Sequence, residues 1–161
     1  MDQTDPLVFG EAAEPGEWAV TGSFAFLGGD PRELTGKPRQ AFGSGFLGVD
    51  SFGWSTFVSV ASATAADHDA VVERLAARFV ERYGAPSLDA ARPVAAEEVA
   101  FAAELCRDHP VNTLLAISRS VDDDGGIREQ VRVIDAKGEK PHAAIWDIVA
   151  EDDENEDTAP R

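Results

Sequence analysis

Residues 64–84 read TAADHDAVVERLAARFVERYG, and this stretch decides the fold. Thr64-Ala65-Ala66-Asp67 has the form of a capping box with Asp in the last place, in which hydroxyl and carboxylate each satisfy the other residue's backbone N–H. Val72, Leu75, Ala76, Phe79 and Tyr83 follow at helical spacing, and Gly84 with Pro86 supplies the stop. Glu73, Arg74, Arg78, Glu81 and Arg82 fall on the opposite face. An amphipathic helix must bury its apolar stripe on a neighbour, and the flanking sequence offers two. Upstream, WSTFVSVA at 54–61 sets Trp54, Thr56, Val58 and Val60 on one face and predicts a strand. Downstream, Ser87 caps a second helical start, and Pro93 predicts a bend or restart there. The Ala-rich run at 93–108 then sets Val94, Phe101, Ala102 and Leu105 on one face before His109-Pro110.

Further out, residues 112–120 predict a strand centred on Leu115 and Ile117, and DDDGG at 122–126 is a turn sequence that tolerates positive φ. Val131 and Val133 share a face in the returning segment 127–134, so the three pieces predict a β-hairpin. Near the start, EWAVTGSFAFL at 17–27 alternates Trp18, Val20, Phe24 and Phe26 and predicts another strand. Between them, residues 32–53 interleave glycines with Phe42, Phe46, Leu47 and Phe52, which predicts a packed loop with one helical turn near 39–42. This order lacks the strand–helix alternation of a doubly wound parallel sheet. The expected fold class is α+β, with a mainly antiparallel sheet of about four strands and two helices packed on one face. Residues 1–150 are expected to form a single domain with frayed ends.

Of the 161 residues 14 are Lys or Arg and 30 are Asp or Glu, a formal net charge of -16. Such a chain repels phosphate backbones, so neither nucleic acid nor an anionic membrane is an expected partner. No run approaches the ~18 apolar residues of a membrane span, and the first residues lack a cationic stretch followed by an apolar one. The cytoplasm is the expected location, and the lone Cys106 cannot close an intrachain disulfide. From Glu151 the chain reads EDDENED, six acids in seven residues, and 151–161 is expected to be a disordered acidic tail. The tail either solubilises the chain or docks on a basic partner. It follows the apolar stretch AAIWDIV at 143–149, so Trp146, Ile148, Glu151, Asp152 and Asp153 are the candidate partner-binding residues.

No motif tested against its mechanical requirements yields a catalytic residue. Residues 43–48 read GSGFLG, but a dinucleotide site needs those glycines between a strand and a helix, and here a strand follows them. Thr35-Gly36-Lys37-Pro38 lacks both the earlier glycine and the hydroxyl of a phosphate loop. In Gly53-Trp54-Ser55-Thr56-Phe57, Phe57 stands where a nucleophile elbow needs its second glycine. His68, His109 and His142 do not form the i, i+4 pair of a zinc helix, and Asp122–Asp124 are consecutive where a calcium loop alternates. No metal and no cofactor is expected. The alternative to a protein-binding role is a small-molecule or enzyme pocket by the glycine-rich loop, lined by Phe42, Phe46, Phe52 and Trp54, with Cys106 or His109 as the reactive group.

Ala13–Val20, Gly45–Val49 with Gly53–Thr56, and Glu81–Pro86 carry a resemblance. Over about Val8 to Ile134, without the acidic tail, the chain resembles an uncharacterised bacterial family of short acidic proteins. That resemblance carries no catalytic residue across. It implies an accessory role in maturing a redox enzyme, because such proteins are associated with genes resembling cofactor ligases and molybdoenzyme chaperones. The expected function is therefore a non-catalytic accessory or protein-interaction module that binds a basic partner. Self-association into a homodimer through a free sheet edge is the third reading.

Overall fold

The computed structural model describes residues 5–134, which form four α-helices and two three-stranded antiparallel sheets. In chain order the elements are α1 (Asp5–Val8), β1 (Ala19–Val20), α2 (Gly36–Ser44), β2 (Phe46–Gly48), β3 (Trp54–Ser55), β4 (Phe57–Ser59), α3 (Ala65–Tyr83), α4 (Leu88–Cys106), β5 (Leu114–Val121) and β6 (Ile127–Ile134). The first sheet has the order β1-β2-β3 and the second β4-β5-β6. The chain is thus α+β and antiparallel, but one sheet of about four strands with two helices on one face is not the layout.

The long helices follow their local signals. Thr64 Oγ1 accepts from Asp67 N at 3.1 Å while Asp67 Oδ2 accepts from Thr64 N at 2.8 Å, and Gly84 ends α3 with φ of 69°. Val71, Val72, Leu75, Ala76 and Phe79 of α3 pack with Ala91, Ala95 and Val99 of α4 against Val20, Leu47, Val49 and Phe52. A second cluster, Phe46, Val60, Leu115 and Ile117, joins the two sheets. Helix α4 runs unbroken through Pro93, which corrects the predicted restart. The hydrogen bond that Pro93 cannot donate would have gone to the carbonyl of Asp89, an exposed residue of the first turn.

Two other expectations are corrected by backbone geometry. The predicted strand at 17–27 stops after Val20, and Ser23–Phe26 turn into a 3₁₀ helix. Gly22 causes the break: its φ is +81°, and a Cβ there would lie 2.6 Å from Leu47 Cβ. Gly22→Ala is therefore expected to destabilise by about 2–3 kcal/mol, combining a left-handed backbone with overpacking, as a urea titration would read. The predicted loop at 32–53 contains a full helix, α2, and strand β2. Its glycines had argued against regular structure, but Gly36 and Gly45 fall at the ends of α2, and Gly45 lies so close to Trp54 Cε3 (2.8 Å from an added Cβ) that no side chain fits.

The single strand predicted at 54–61 is two strands, one in each sheet, separated at Thr56. A buried carboxylate holds the switch. Asp5 accepts from Ser55 Oγ at 3.0 Å, Thr56 N at 3.1 Å and Thr56 Oγ1 at 2.6 Å. The start of the described chain is thus folded into the body.

Arg119 is the second polar centre. It projects from β5 with its side chain fully buried, and its Nε donates to Glu129 at 2.8 Å and to Ser23 Oγ at 2.9 Å. Its Nη1 donates to the carbonyls of Phe42 (3.1 Å) and Gly45 (2.8 Å), and its Nη2 to that of Thr21. One guanidinium therefore covers the C-terminal carbonyls of α2 and ties both sheets together.

Candidate functional site

A cleft of about 810 Å³ opens between the two sheets and the facing ends of α3 and α4. Its walls are mostly apolar: Trp18, Val20, Phe57, Val60, Val71 and Val99 contribute, with Ala102 and Ala103 of α4. Small residues at 102 and 103 leave the space open, because α4 presents methyl groups there. The polar lining comprises Glu14 and Glu17 ahead of β1, Asp67 and His68 at the start of α3, and Cys106, Arg107 and His109 at the end of α4. A volume of this size lies in the range of roughly 300–1,000 Å³ typical of ligand pockets.

Strand edges frame the cleft. β1 pairs only with β2, and β4 only with β5, among the described residues. Val60 N donates to Thr113 O at 2.9 Å and Val60 O accepts from Asn112 N at 2.8 Å, so Val60 turns its backbone toward the β5 side. Strand alternation then turns the backbone groups of Ser59 away from β5, on the side where no strand lies among the described residues. Likewise Val49 N donates to Trp18 O, which turns the backbone of Ala19 away from β2. Both Ala19 and Ser59 line the cleft.

The electrostatics at the ends differ. Glu17 organises the turn after β2: it accepts from Asp50 N at 2.7 Å and Ser51 N at 2.9 Å, and also from Ser51 Oγ. Burial pushes its carboxyl up, but the bonds from Ser51, Glu14 and Asp50 outweigh burial and hold it below the usual carboxylate value of 4.5. A depressed carboxyl contributes stability above its unfolded pKa and loses it as pH falls through the folded one. The gap in urea midpoint between the natural protein and Glu17→Gln is therefore expected at pH 7 and expected to narrow as the pH falls below the usual carboxylate range. A Cβ at Gly48 would lie 2.4 Å from the Glu17 carboxylate, so a side chain there would push Glu17 off its bonds to the 50–51 turn.

At the other end, burial pushes the Cys106 thiol up from its ordinary value, the reverse of what an activated nucleophile needs. No side-chain hydrogen bond joins Cys106 to His109 among the described residues; the link is His109 N to Cys106 O, 3.1 Å, within the turn that ends α4. Iodoacetamide is expected to modify Cys106 slowly at pH 7.5, with a pH–rate midpoint above that of a free thiol. Among the described residues no group of three His, Cys, Asp or Glu side chains could hold a metal ion.

The structure divides the six residues of the expected glycine-loop pocket. Cys106 and His109 line the cleft, whereas Phe42, Phe46, Phe52 and Trp54 do not. Phe46 and Phe52 are core residues of the two clusters, and Phe26 stacks on Trp54 at 5.2 Å and meets Phe42 edge-on at 5.2 Å. The cleft thus lies beside β4, away from the glycine-rich segment. Trp146, Ile148, Glu151, Asp152 and Asp153 lie outside the described residues, as does the expected tail at 151–161. Sequence reading missed Trp18, Phe57, Ala103 and Ser59 as wall residues. A shared cleft has no local signature, because its walls come from four separated segments.

Residues 1–151 match the model of a family of unknown function, DUF6505. The chain belongs to this family. Membership of DUF6505 extends beyond the Val8–Ile134 span that the quoted stretches suggested, and stops at the first acid of the EDDENED run. No curated protein and no solved structure matches this DUF6505 member. No helix among the described residues is long and apolar enough to cross a membrane.

Proposed function

We propose that this DUF6505 chain is a non-catalytic accessory module that holds a segment of a partner protein in the cleft between its sheets. The observation that carries the reading is the cleft itself: about 810 Å³, mostly apolar, and flanked by a thiol that burial makes less reactive. A site built to bind needs apolar walls and a few polar groups, whereas a nucleophilic site needs a group whose pKa moves toward neutrality. The net charge of -16 favours a basic partner, and the bacterial cytoplasm is its compartment in this reading. Following the resemblance, the partner is a redox enzyme undergoing maturation.

Low-salt affinity purification from the source cells tests the proposal. The natural full-length protein and an Ala103→Trp variant, in which an exposed wall residue is enlarged to fill the cleft, would be compared. The expected result is a stoichiometric partner that is lost with Ala103→Trp and weakened as salt rises from ~50 to ~300 mM, since the Debye length contracts over that range. A partner retained by Ala103→Trp would remove the cleft from the account.

A further inference from the structure

The geometry points to strand addition as the mode of binding: the cleft takes an extended, alternately apolar segment of a partner protein flanked by Lys or Arg, paired along the outer edge of β4. This rests on the cleft-binding reading and adds the chemistry of its occupant.

Three observations converge on that occupant. First, Val60 directs its backbone bonds to the Asn112–Thr113 side, so the N–H and C=O of Ser59, the last residue of β4, point away from β5, and both Ser59 and the following Ala61 line the cleft. Both residues are exposed, and no strand covers this edge among the described residues. The other outward carbonyl of β4, that of Phe57, accepts from Ser55 Oγ at 2.8 Å, so the edge offered to another extended chain begins at Ser59.

Second, the walls beside this edge are apolar. Residues 57–63 line the cleft without a break, and Val71, Val99 and Val111 face them from the helices and the α4–β5 connection. A segment lying along β4 would send alternate side chains into that apolar space and the others outward. An amphipathic helix would leave the β4 edge groups unpaired, and a compact ligand would use only part of the edge.

Third, the charge selects the flanks. Glu14, Glu17 and Asp67 outnumber Arg107 in the lining, on a chain of net charge -16, so Lys or Arg beside the apolar segment is attracted and Glu or Asp repelled.

The test uses the full-length chain and synthetic peptides of about nine residues with Val or Ile at alternate positions. Three sets are compared: Lys at both ends, Glu at both ends, and Lys-ended peptides N-methylated on alternate amides. Binding is read by fluorescence polarisation and by protection of Cys106, the one cysteine of the chain and part of the cleft lining, from iodoacetamide. The expected result is that Lys-ended peptides bind and slow Cys106 modification about tenfold, and that Glu-ended ones bind about tenfold more weakly. N-methylation in one of the two alternating phases should abolish binding while the other phase leaves it intact. Ser59→Pro removes an N–H that β5 does not use, and should abolish peptide binding with the circular dichroism spectrum unchanged.

Equal binding by both methylation phases, or by Lys- and Glu-ended peptides, would overturn strand addition or its charge selectivity respectively. If no peptide binds, and Trp146→Ser with Ile148→Ser in the full chain raises Cys106 reactivity and admits the peptides, the chain's own 143–149 segment is the occupant and the partner proposal falls. No binding in either background overturns strand addition outright. Occupation by the 143–149 segment would overturn both proposals, whereas the other failures overturn strand addition alone and leave the cleft-binding reading to the Ala103→Trp purification.

Discussion

Arg119→Met is expected to lower the unfolding free energy by about 3–5 kcal/mol and the melting temperature by roughly 10 °C or more, as read by urea titration and calorimetry. The side chain replaced is fully buried and serves six groups: Glu129, Ser23 and the carbonyls of Thr21, Ala41, Phe42 and Gly45. Methionine fills much of the volume but supplies no donor. The Glu129 carboxylate, itself mostly buried, then loses its cation, and the carbonyls at the end of α2 lose their cap. Burial already pulls the guanidinium below the ordinary arginine range, and the bond and charge of Glu129 counter that pull. Arg119→Lys should recover the charge but only part of the stability, about 2 kcal/mol short of the natural protein, since one ammonium cannot span acceptors on α2, β6 and the β1 connection. A loss below 1 kcal/mol for Arg119→Met would show that the network is incidental to the fold.

Asp5→Ala is expected to cost about 3 kcal/mol, with a characteristic side effect: increased proteolysis or hydrogen exchange at residues 54–59. Asp5 is fully buried and holds both Ser55 and Thr56 at the point where the strand leaves one sheet for the other. Without the carboxylate, Thr56 N–H and two hydroxyls lose an acceptor in a space that water does not readily enter. Asp5→Asn keeps the shape and one acceptor oxygen, so it should cost about half as much. The cleft adjoins this switch, because Ser55 and Phe57 both contribute to its lining. Asp5→Ala should therefore also weaken partner capture, whereas Arg74→Ala, on the exposed side of α3, should leave both stability and capture near their natural values.

Elements whose instructions are local were legible in the sequence. Thr64, Asp67 and Gly84 define α3 by bonds to their own neighbours; Ser87 does the same for the start of α4, and the 122–126 turn forces β5 and β6 to meet. The family resemblance, too, was visible in short stretches that the 1–151 match includes. What failed at 17–27 and 54–61 was the inference that a strand's alternation continues. The alternation at 17–27 breaks at Gly22 because of Leu47, and that at 54–61 breaks at Thr56 because of Asp5.

The candidate site was half visible. Cys106 and His109 were singled out as reactive types, and they do line the cleft, but the aromatics grouped with them belong to the packed interior. Charge, helix caps, the hairpin and the failure of the local catalytic patterns were determined by the sequence alone, since each depends on residue type and spacing within a few positions. The division into two sheets, the burial of Asp5 and Arg119, and the cleft with its strand edges were decided only by the tertiary structure. The physical reason is separation: Asp5 meets Thr56, Arg119 meets Thr21, and Ser59 faces the space beside Val99, across stretches of chain that no local rule spans.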